Sequence, residues 1–269
     1  MNLKRVSCDL SGYPFYFARH FEICMKPTFV LDIGNTRIKC GIFLGSQLKE
    51  VHIANDLDEI ESFLSTFDIV HGIVCNVGRS EDSLEKFRRR WTGLIFLHHS
   101  TPIPFPNQYA TPQTLGLDRL AAAVGAWTLF PEQACLIVDV GTALKMDYVL
   151  PDQGFMGGYI SPGLRIRFEG LHSFTNRLPL ITPKPFAHLY GQSTQDCILA
   201  GVMQGMLAEI EGIVQKYEKL HPITVVFSGG DAHFFESQIK TTKFTEPNLV
   251  LIGLHRILQH NVNEPNQVL

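Results

Sequence analysis

A short pattern occurs twice in this chain, 107 residues apart: Leu31-Asp32-Ile33-Gly34-Asn35-Thr36 and Val138-Asp139-Val140-Gly141-Thr142-Ala143. In each copy a β-rich run, Thr28 to Asp32 or Cys135 to Asp139, ends on an aspartate and enters a glycine turn. A returning strand follows each turn, Ile38 to Leu44 and Lys145 to Leu150, so each copy reads as a hairpin. Repeats mark duplicated architecture. Two similar lobes, each offering one such turn, would set two aspartates and two phosphate-sized turns on either side of a cleft. Phosphate oxygens need backbone N–H groups at close range, which glycine permits. The chain contains neither G-x-x-x-x-G-K-[ST] nor G-x-G-x-x-G, so these turns are its own candidates for that chemistry.

Between and beyond the hairpins the pattern alternates. Leu57 to Phe67 has helical apolar spacing, Ile69 to Val74 reads as a buried strand, and Ser83 to Trp91 as a basic amphipathic helix. Thr101 to Pro112 is a proline-rich loop, and Leu117 to Phe130 an alanine-rich helix. Gly157-Gly158 and Pro162-Gly163 read as loop punctuation. Asp196 to Lys219 is a long helix, with Met203 and Met206 as core or dimer-packing residues. Thr224 to Phe227 is a strand running into Ser228-Gly229-Gly230-Asp231, and Asn248 to Gln259 a strand or turn followed by a helix. The expected division is an extension over 1–26, an N-terminal lobe over 27–115 and a C-terminal lobe over 116–269.

Bulk properties narrow the partners. A formal charge of -3 gives no electrostatic reason to expect nucleic acid. No run approaches the ~18 consecutive apolar residues of a membrane span. Cys8, Cys24, Cys40, Cys75, Cys135 and Cys197 form no C-x-x-C pair and match no zinc or disulfide framework, so reduced thiols in the cytoplasm are expected. His71, His98, His99, His172 and His188 read as surface or satisfied core residues. Charged residues interrupt any apolar core within residues 1–25, so that leader lacks the form of a signal peptide. Met25 is a candidate true start, and removal of residues 1–24 is expected to cost little.

Each motif has a plainer alternative. In the first turn Gly34 allows close approach, Thr36 offers a hydroxyl, Lys39 a cation, and Asp32 a carboxylate for magnesium, directly or through water; the alternative is an Asx-type β-turn. Asp118-Arg119 supplies a base for a hydroxyl proton and a planar fork for a carboxylate; the alternative is an N-terminal helix cap beside a surface arginine.

Three strand-to-glycine turns resemble the actin-like ATPase fold shared by sugar kinases and Hsp70 chaperones. The segment Tyr109-Ala110-Thr111-Pro112-Gln113-Thr114-Leu115-Gly116-Leu117-Asp118-Arg119-Leu120 is similar to the Y-x-x-P-x-x-L-G-x-D-R-L signature of type III pantothenate kinases. Gly157 to Leu164 resembles their G-G-x-I-x-P-G-L, and Tyr190 to Thr194, followed by Gly201, their G-x-x-T segment. The resemblance runs in order from about residue 28 to the C-terminus. It implies an α/β, two-lobed actin-like ATPase fold (a duplicated ribonuclease H-like unit) with mixed sheets and a nucleotide cleft between the lobes. It implies ATP-dependent phosphorylation of pantothenate, the first step of coenzyme A biosynthesis, in a cytoplasmic homodimer that binds neither nucleic acid nor membrane. Residue by residue, it assigns Asp32, Ile33, Gly34, Asn35, Thr36, Arg37, Ile38, Lys39, Thr142, Gly229 and Gly230 to ATP. Tyr109, Gly116, Leu117, Asp118, Arg119 and Thr194 fall to pantothenate, with Asp118 as base. Asp139 falls to a monovalent cation, potassium or ammonium, and Asp32 to magnesium.

The chain departs from the family where G-T-A-x-T-x-D is usual: Lys145 stands in place of that threonine, while Asp147 is present. Thr175-Asn176-Arg177-Leu178-Pro179 departs from T-A-x-L-P. Lys145 either reaches the cation position and pairs with Asp139, or points to solvent or to an ATP phosphate. Two other functions share the pattern, a phosphotransferase or phosphohydrolase acting on a sugar, acetate or polyphosphate, and a non-catalytic nucleotide-binding accessory protein.

Overall fold

The computed structural model describes residues 26–263 apart from 35, 36, 70, 79–83 and 92. The expectations for the leader and Met25 lie outside the described residues. Two five-stranded mixed sheets carry the chain. In the first, β1 (Thr28–Ile33), β2 (Ile38–Leu44), β3 (Gln47–Ala54), β4 (His71–Asn76) and β5 (Leu94–Phe96) lie in the order β3-β2-β1-β4-β5. In the second, β6 (Cys135–Val140), β7 (Ala143–Leu150), β8 (Gly154–Pro162), β9 (Thr224–Ser228) and β10 (Lys243–Thr245) lie in the order β8-β7-β6-β9-β10. The senses match pair for pair: β1/β2 and β6/β7 are antiparallel, as are β2/β3 and β7/β8, while the other two pairs in each sheet are parallel. The sequence repeat is therefore a repeat of topology, with β1 and β6 as the equivalent central strands.

β1 and β6 are apolar and almost wholly buried, as central strands covered on both faces must be. The helices α1 (Leu57–Leu64), α2 (Glu85–Arg90), α3 (Leu117–Leu129), α4 (Leu164–Ser173), α5 (Thr194–Glu218) and α6 (Leu249–Asn263) supply the cover. One face of the first sheet packs on Leu57, Ile60, Leu64 and Phe87 of α1 and α2. One face of the second packs on α4 and α5. The two inner faces share a core in which α6 lies on β1, β2 and β4 while α3 lies on β6, β7 and β8. These two helices touch closely because glycine stands at the crossing: a Cβ on Gly253 would sit 1.7 Å from the Ala121 carbonyl oxygen, and one on Gly125 2.3 Å from that of Leu249. The first sheet ends at Phe96 and the second begins at Cys135, yet α6 returns from the end of the chain to the first one.

α5 is long and apolar enough to cross a membrane by composition. Ile198, Leu199, Val202, Met203, Met206, Ile210 and Val214 of α5 are buried in the second core, which puts both methionines in packing roles. Ser193 caps the helix by accepting from the Asp196 amide at 3.2 Å. Cys40, Cys75 and Cys135 are buried free thiols and Cys197 an exposed one.

Sequence patterning missed all four edge strands, the three-residue β5 and β10 as well as the longer β3 and β8. β3 is a mostly exposed edge bearing Lys49 and Glu50, the charged pattern that edge strands use against aberrant pairing. β8 contains Gly157 and Gly158, which corrects their reading as loop punctuation. A Cβ on Gly158 would lie 2.1 Å from the Met146 carbonyl oxygen and 2.4 Å from Asp147 Oδ1, so the glycine leaves room for the neighbouring strand.

Candidate active site

Each central strand carries its aspartate at the fifth of six positions, so Asp32 and Asp139 both arrive where the strands open into their turns. The inner helix α3 brings Asp118 in its first turn to the same place. Asp32, Asp118, Asp139, Gly34 and Gly229 line one cleft with Lys39 and Lys145, closed on one side by Pro247 and Asn248 before α6. A larger hollow at the opposite end of the second sheet, beside Glu132, Leu150 and His221, has no glycine turn.

Asp32 is the most perturbed carboxylate. Its Oδ1 is enclosed and has no hydrogen-bond partner. Burial, then the nearby Asp118, pushes its pKa up to about 7, against the pull of Lys145 and Lys39. Lys39, directly across the ladder from Asp32, turns its ammonium to the Pro247 carbonyl oxygen at 2.6 Å and to Asn248 Oδ1 at 3.4 Å. Burial lowers its pKa, opposed by Asp32 and Glu246.

The glycine turns are tightly closed. The Gly34 amide donates to the Arg37 carbonyl at 3.1 Å, and the Gly141 amide to that of Ala143 at 3.1 Å. Asn35 and Thr36 lie outside the described residues. Arg37 and Thr142 are exposed at their turns. Ile33 and Ile38 face each other in register with no exposed surface, so only their backbones border the turn. Gly229 has φ +90°, open to glycine and strained for other residues, and a Cβ there would stand 2.3 Å from the Val140 carbonyl oxygen. The third turn is thus pressed against the end of β6, with Gly230 exposed beside it.

Both alternatives for the Asp118-Arg119 pair fail on geometry. Asp118 makes no cap hydrogen bond to α3; its Oδ2 accepts from Lys145 Nζ at 2.8 Å. Arg119 is 6% exposed and forks onto Asp147, with Nε 3.1 Å from each carboxylate oxygen and Nη2 bonded to Oδ1. Burial alone would lower the Arg119 pKa, but Asp147 outweighs it and holds the guanidinium charged. Its Cζ lies 5.8 Å from the ring centres of Tyr109 and Phe155. Gly116 is the residue before α3, and Leu117 packs on the inner core. Thr194 is exposed in the first turn of α5 and, like Tyr109, Arg119 and Thr142, is not among the residues lining the cleft.

Lys145 lies directly across the ladder from Asp139. Its ammonium sits 2.7 Å from Asp139 Oδ2 and 2.8 Å from Asp118 Oδ2, which decides between the two orientations the sequence left open. Burial would lower its pKa, but Asp139 and Asp118 raise it well above the usual lysine range. Sequence reasoning named Ser228 only as part of the third turn and did not find Pro247 and Asn248 as cleft residues. The available signal for the last two was a proline-polar pair ahead of an apolar periodic run, a helix start.

Residues 28–216 match the family model of the type III pantothenate kinases. The chain belongs to that family. It is 39% identical over 236 residues to the type III pantothenate kinase of Phocaeicola vulgatus, covering 86% of this chain and 98% of the relative. Against the type III pantothenate kinase of Cytophaga hutchinsonii it is 40% identical, over 87% and 99% of the two chains. Solved structures agree on the fold. A Baf family protein from Campylobacter jejuni superposes with TM-score 0.58 at 24% identity over 88% of this chain and all of that one. A ROK family glucokinase from Streptomyces griseus, in complex with glucose and AMPPNP, gives 0.50 at 12% identity over 87% and 100%. The fold of this family member is that of the actin-like ATPases and sugar kinases.

Proposed function

We propose that this pantothenate kinase family member transfers the γ-phosphoryl group of ATP to the primary hydroxyl of pantothenate in the cleft between the two sheets. The observation that carries the proposal is the convergence of Asp32, Asp118 and Asp139 between the glycine turns, with Asp118 one residue before the buried Arg119. The turns at Gly34, Gly141 and Gly229 take the nucleotide. Lys39 and exposed Thr142 meet its phosphates. Asp118 accepts the hydroxyl proton as the phosphoryl group leaves, a role worth roughly 10²–10⁴ in rate. Arg119 has five N–H donors and spends the single one on Nε and one on Nη2 upon Asp147, so three remain for Tyr109 and the pantothenate carboxylate. Tyr109, over that guanidinium, walls the acceptor side.

The enclosed, unpartnered Oδ1 of Asp32 suits a magnesium ion arriving with the phosphates. Among the described residues no set of three or more His, Cys, Asp or Glu side chains forms a metal cage by itself; magnesium is commonly held by one or two carboxylates plus substrate phosphates. When bound, it supplies neutralisation of charge on the transferring group. A monovalent cation at Asp139 does not fit in the same way, because the Lys145 ammonium already holds Asp139 Oδ2. Exposed Ile160, Phe174, Leu189 and Tyr190 on the second lobe support a homodimer packed through that lobe, with Thr194 of α5 beside the contact. A cytoplasmic site, where ATP is plentiful, belongs to the same proposal.

A coupled assay of ADP release tests it, with pantothenate set against a panel of sugars, acetate and polyphosphate. Pantothenate is expected to give kcat/KM at least about 10³ above every other acceptor, the discrimination that buried polar recognition supports. A sugar or acid turned over as well as pantothenate would overturn it.

A further inference from the structure

The two hairpins are copies, and each sets a lysine directly across the ladder from its aspartate: Lys39 opposite Asp32, Lys145 opposite Asp139. The copies use that lysine differently. Lys39 turns away to Pro247 and Asn248 and leaves Asp32 Oδ1 without a partner. Lys145 instead inserts its ammonium between Asp139 and Asp118, at 2.7 and 2.8 Å. The three groups are about four-fifths enclosed, with side-chain exposures of 18%, 20% and 24% for Lys145, Asp139 and Asp118. These two carboxylates come from different elements, the end of β6 and the first turn of α3. Like charges so placed repel, and in an enclosed site the repulsion is weakly screened. A cation between them offsets it and fixes the distance between strand and helix. A free monovalent ion at Asp139 would have to sit beside the ammonium that already holds Oδ2.

Resting on the pantothenate kinase reading, we infer that Lys145 is a tethered monovalent cation: it positions Asp118 against Asp139 and makes the enzyme independent of potassium and ammonium ions. A lysine ammonium is compact and carries three N–H donors on a flexible stem. Two donors are engaged by the carboxylates, and one is left for an ATP phosphate. Lys145 is thus a positioning residue toward the acceptor hydroxyl, acting through Asp118.

The test needs wild type first, in buffers whose only monovalent cation is sodium, potassium or ammonium. Steady-state kinetics and calorimetric titration of MgATP are measured in each. The expected result is that kcat, KM and the nucleotide Kd agree within about twofold across the cations, since no ion binds preferentially to the active form. Activation by potassium of about tenfold or more overturns the inference without any variant. Lys145→Thr then opens the position. Its turnover in sodium is expected to fall about 10²-fold, with potassium or ammonium restoring at least tenfold of it and raising its melting temperature, while wild type shows no such rise. A Lys145→Thr enzyme that is as active as wild type, or impaired but equally so in all three salts, also overturns it. The titration does not require the acceptor. If pantothenate is not phosphorylated in any buffer, the functional reading fails, while cation-independent MgATP binding by wild type and cation-dependent binding by Lys145→Thr still report on Lys145.

Discussion

Replacing Asp32 by asparagine removes a carboxyl group whose pKa lies about 7 in the fold, against a usual 3.8. A group whose folded pKa is raised contributes stability that is fully present below the unfolded pKa and is lost as pH rises through the folded one. For Asp32 the loss runs from about pH 4 to about pH 7 and then levels off. Each pKa unit is worth 1.36 kcal/mol, so the two units between pH 5 and pH 7 amount to about 3 kcal/mol. Asparagine is nearly isosteric and never ionises, so Asp32→Asn escapes this decline. Urea unfolding of both proteins, without nucleotide and with EDTA, measures the effect at pH 5 and pH 8. The variant is expected to gain about 2–3 kcal/mol relative to wild type on going from pH 5 to pH 8. The same variant is expected to bind MgATP at least about tenfold more weakly, because the carboxylate for magnesium is gone. A relative gain below about 0.5 kcal/mol, or one of opposite sign, would refute the placement of a desolvated, unpartnered carboxylate in the cleft.

His255 acts in the opposite sense. It is buried, stacked on Phe43 with ring centres 3.9 Å apart, and burial lowers its pKa to about 4. The unfolded chain then binds more protons as pH falls from about 6.5 to about 4, so stability is lost in that window. His255→Phe is expected to remove that acid sensitivity in urea titrations, and an unchanged acid limb would contradict it. Arg119→Lys keeps the charge and loses the planar fork onto Asp147. It is expected to raise the KM for pantothenate about tenfold or more and to lower the melting temperature, with MgATP affinity held within about threefold. Equal losses for both substrates would place Arg119 outside the acceptor side.

The duplicated frame was legible because its signal is local and repeated. Strand, aspartate and glycine turn occur twice, and β1 and β6 are the equivalent centres of matching sheets. Asp32 and Asp139 were legible for the same reason, as each ends a strand of the repeat, whereas Asp118 stood out only through its likeness to the family signature. What sequence could not supply was partnership across long separations. Arg119 and Asp147 are 28 residues apart, and Lys39 meets Asn248 across 209. Lys145 could be flagged by type, but only the ladder register, Asp139 opposite Lys145, aims it at the cleft. β3 and β8 escaped notice because edge strands carry charge or glycine instead of an apolar run. Thr194 lies at an exposed helix start outside the cleft lining, so its assignment rests on the family likeness alone.

Single-turnover formation of 4′-phosphopantothenate, by wild type and by Asp118→Asn at saturating MgATP, tests most directly whether this cleft phosphorylates pantothenate with Asp118 as base. Wild type is expected to convert pantothenate in one phase. The variant is expected to bind MgATP within about threefold of wild type while the rate of the chemical step falls roughly 10²–10⁴. Absence of product with wild type, or a variant rate near the wild-type value, would contradict it.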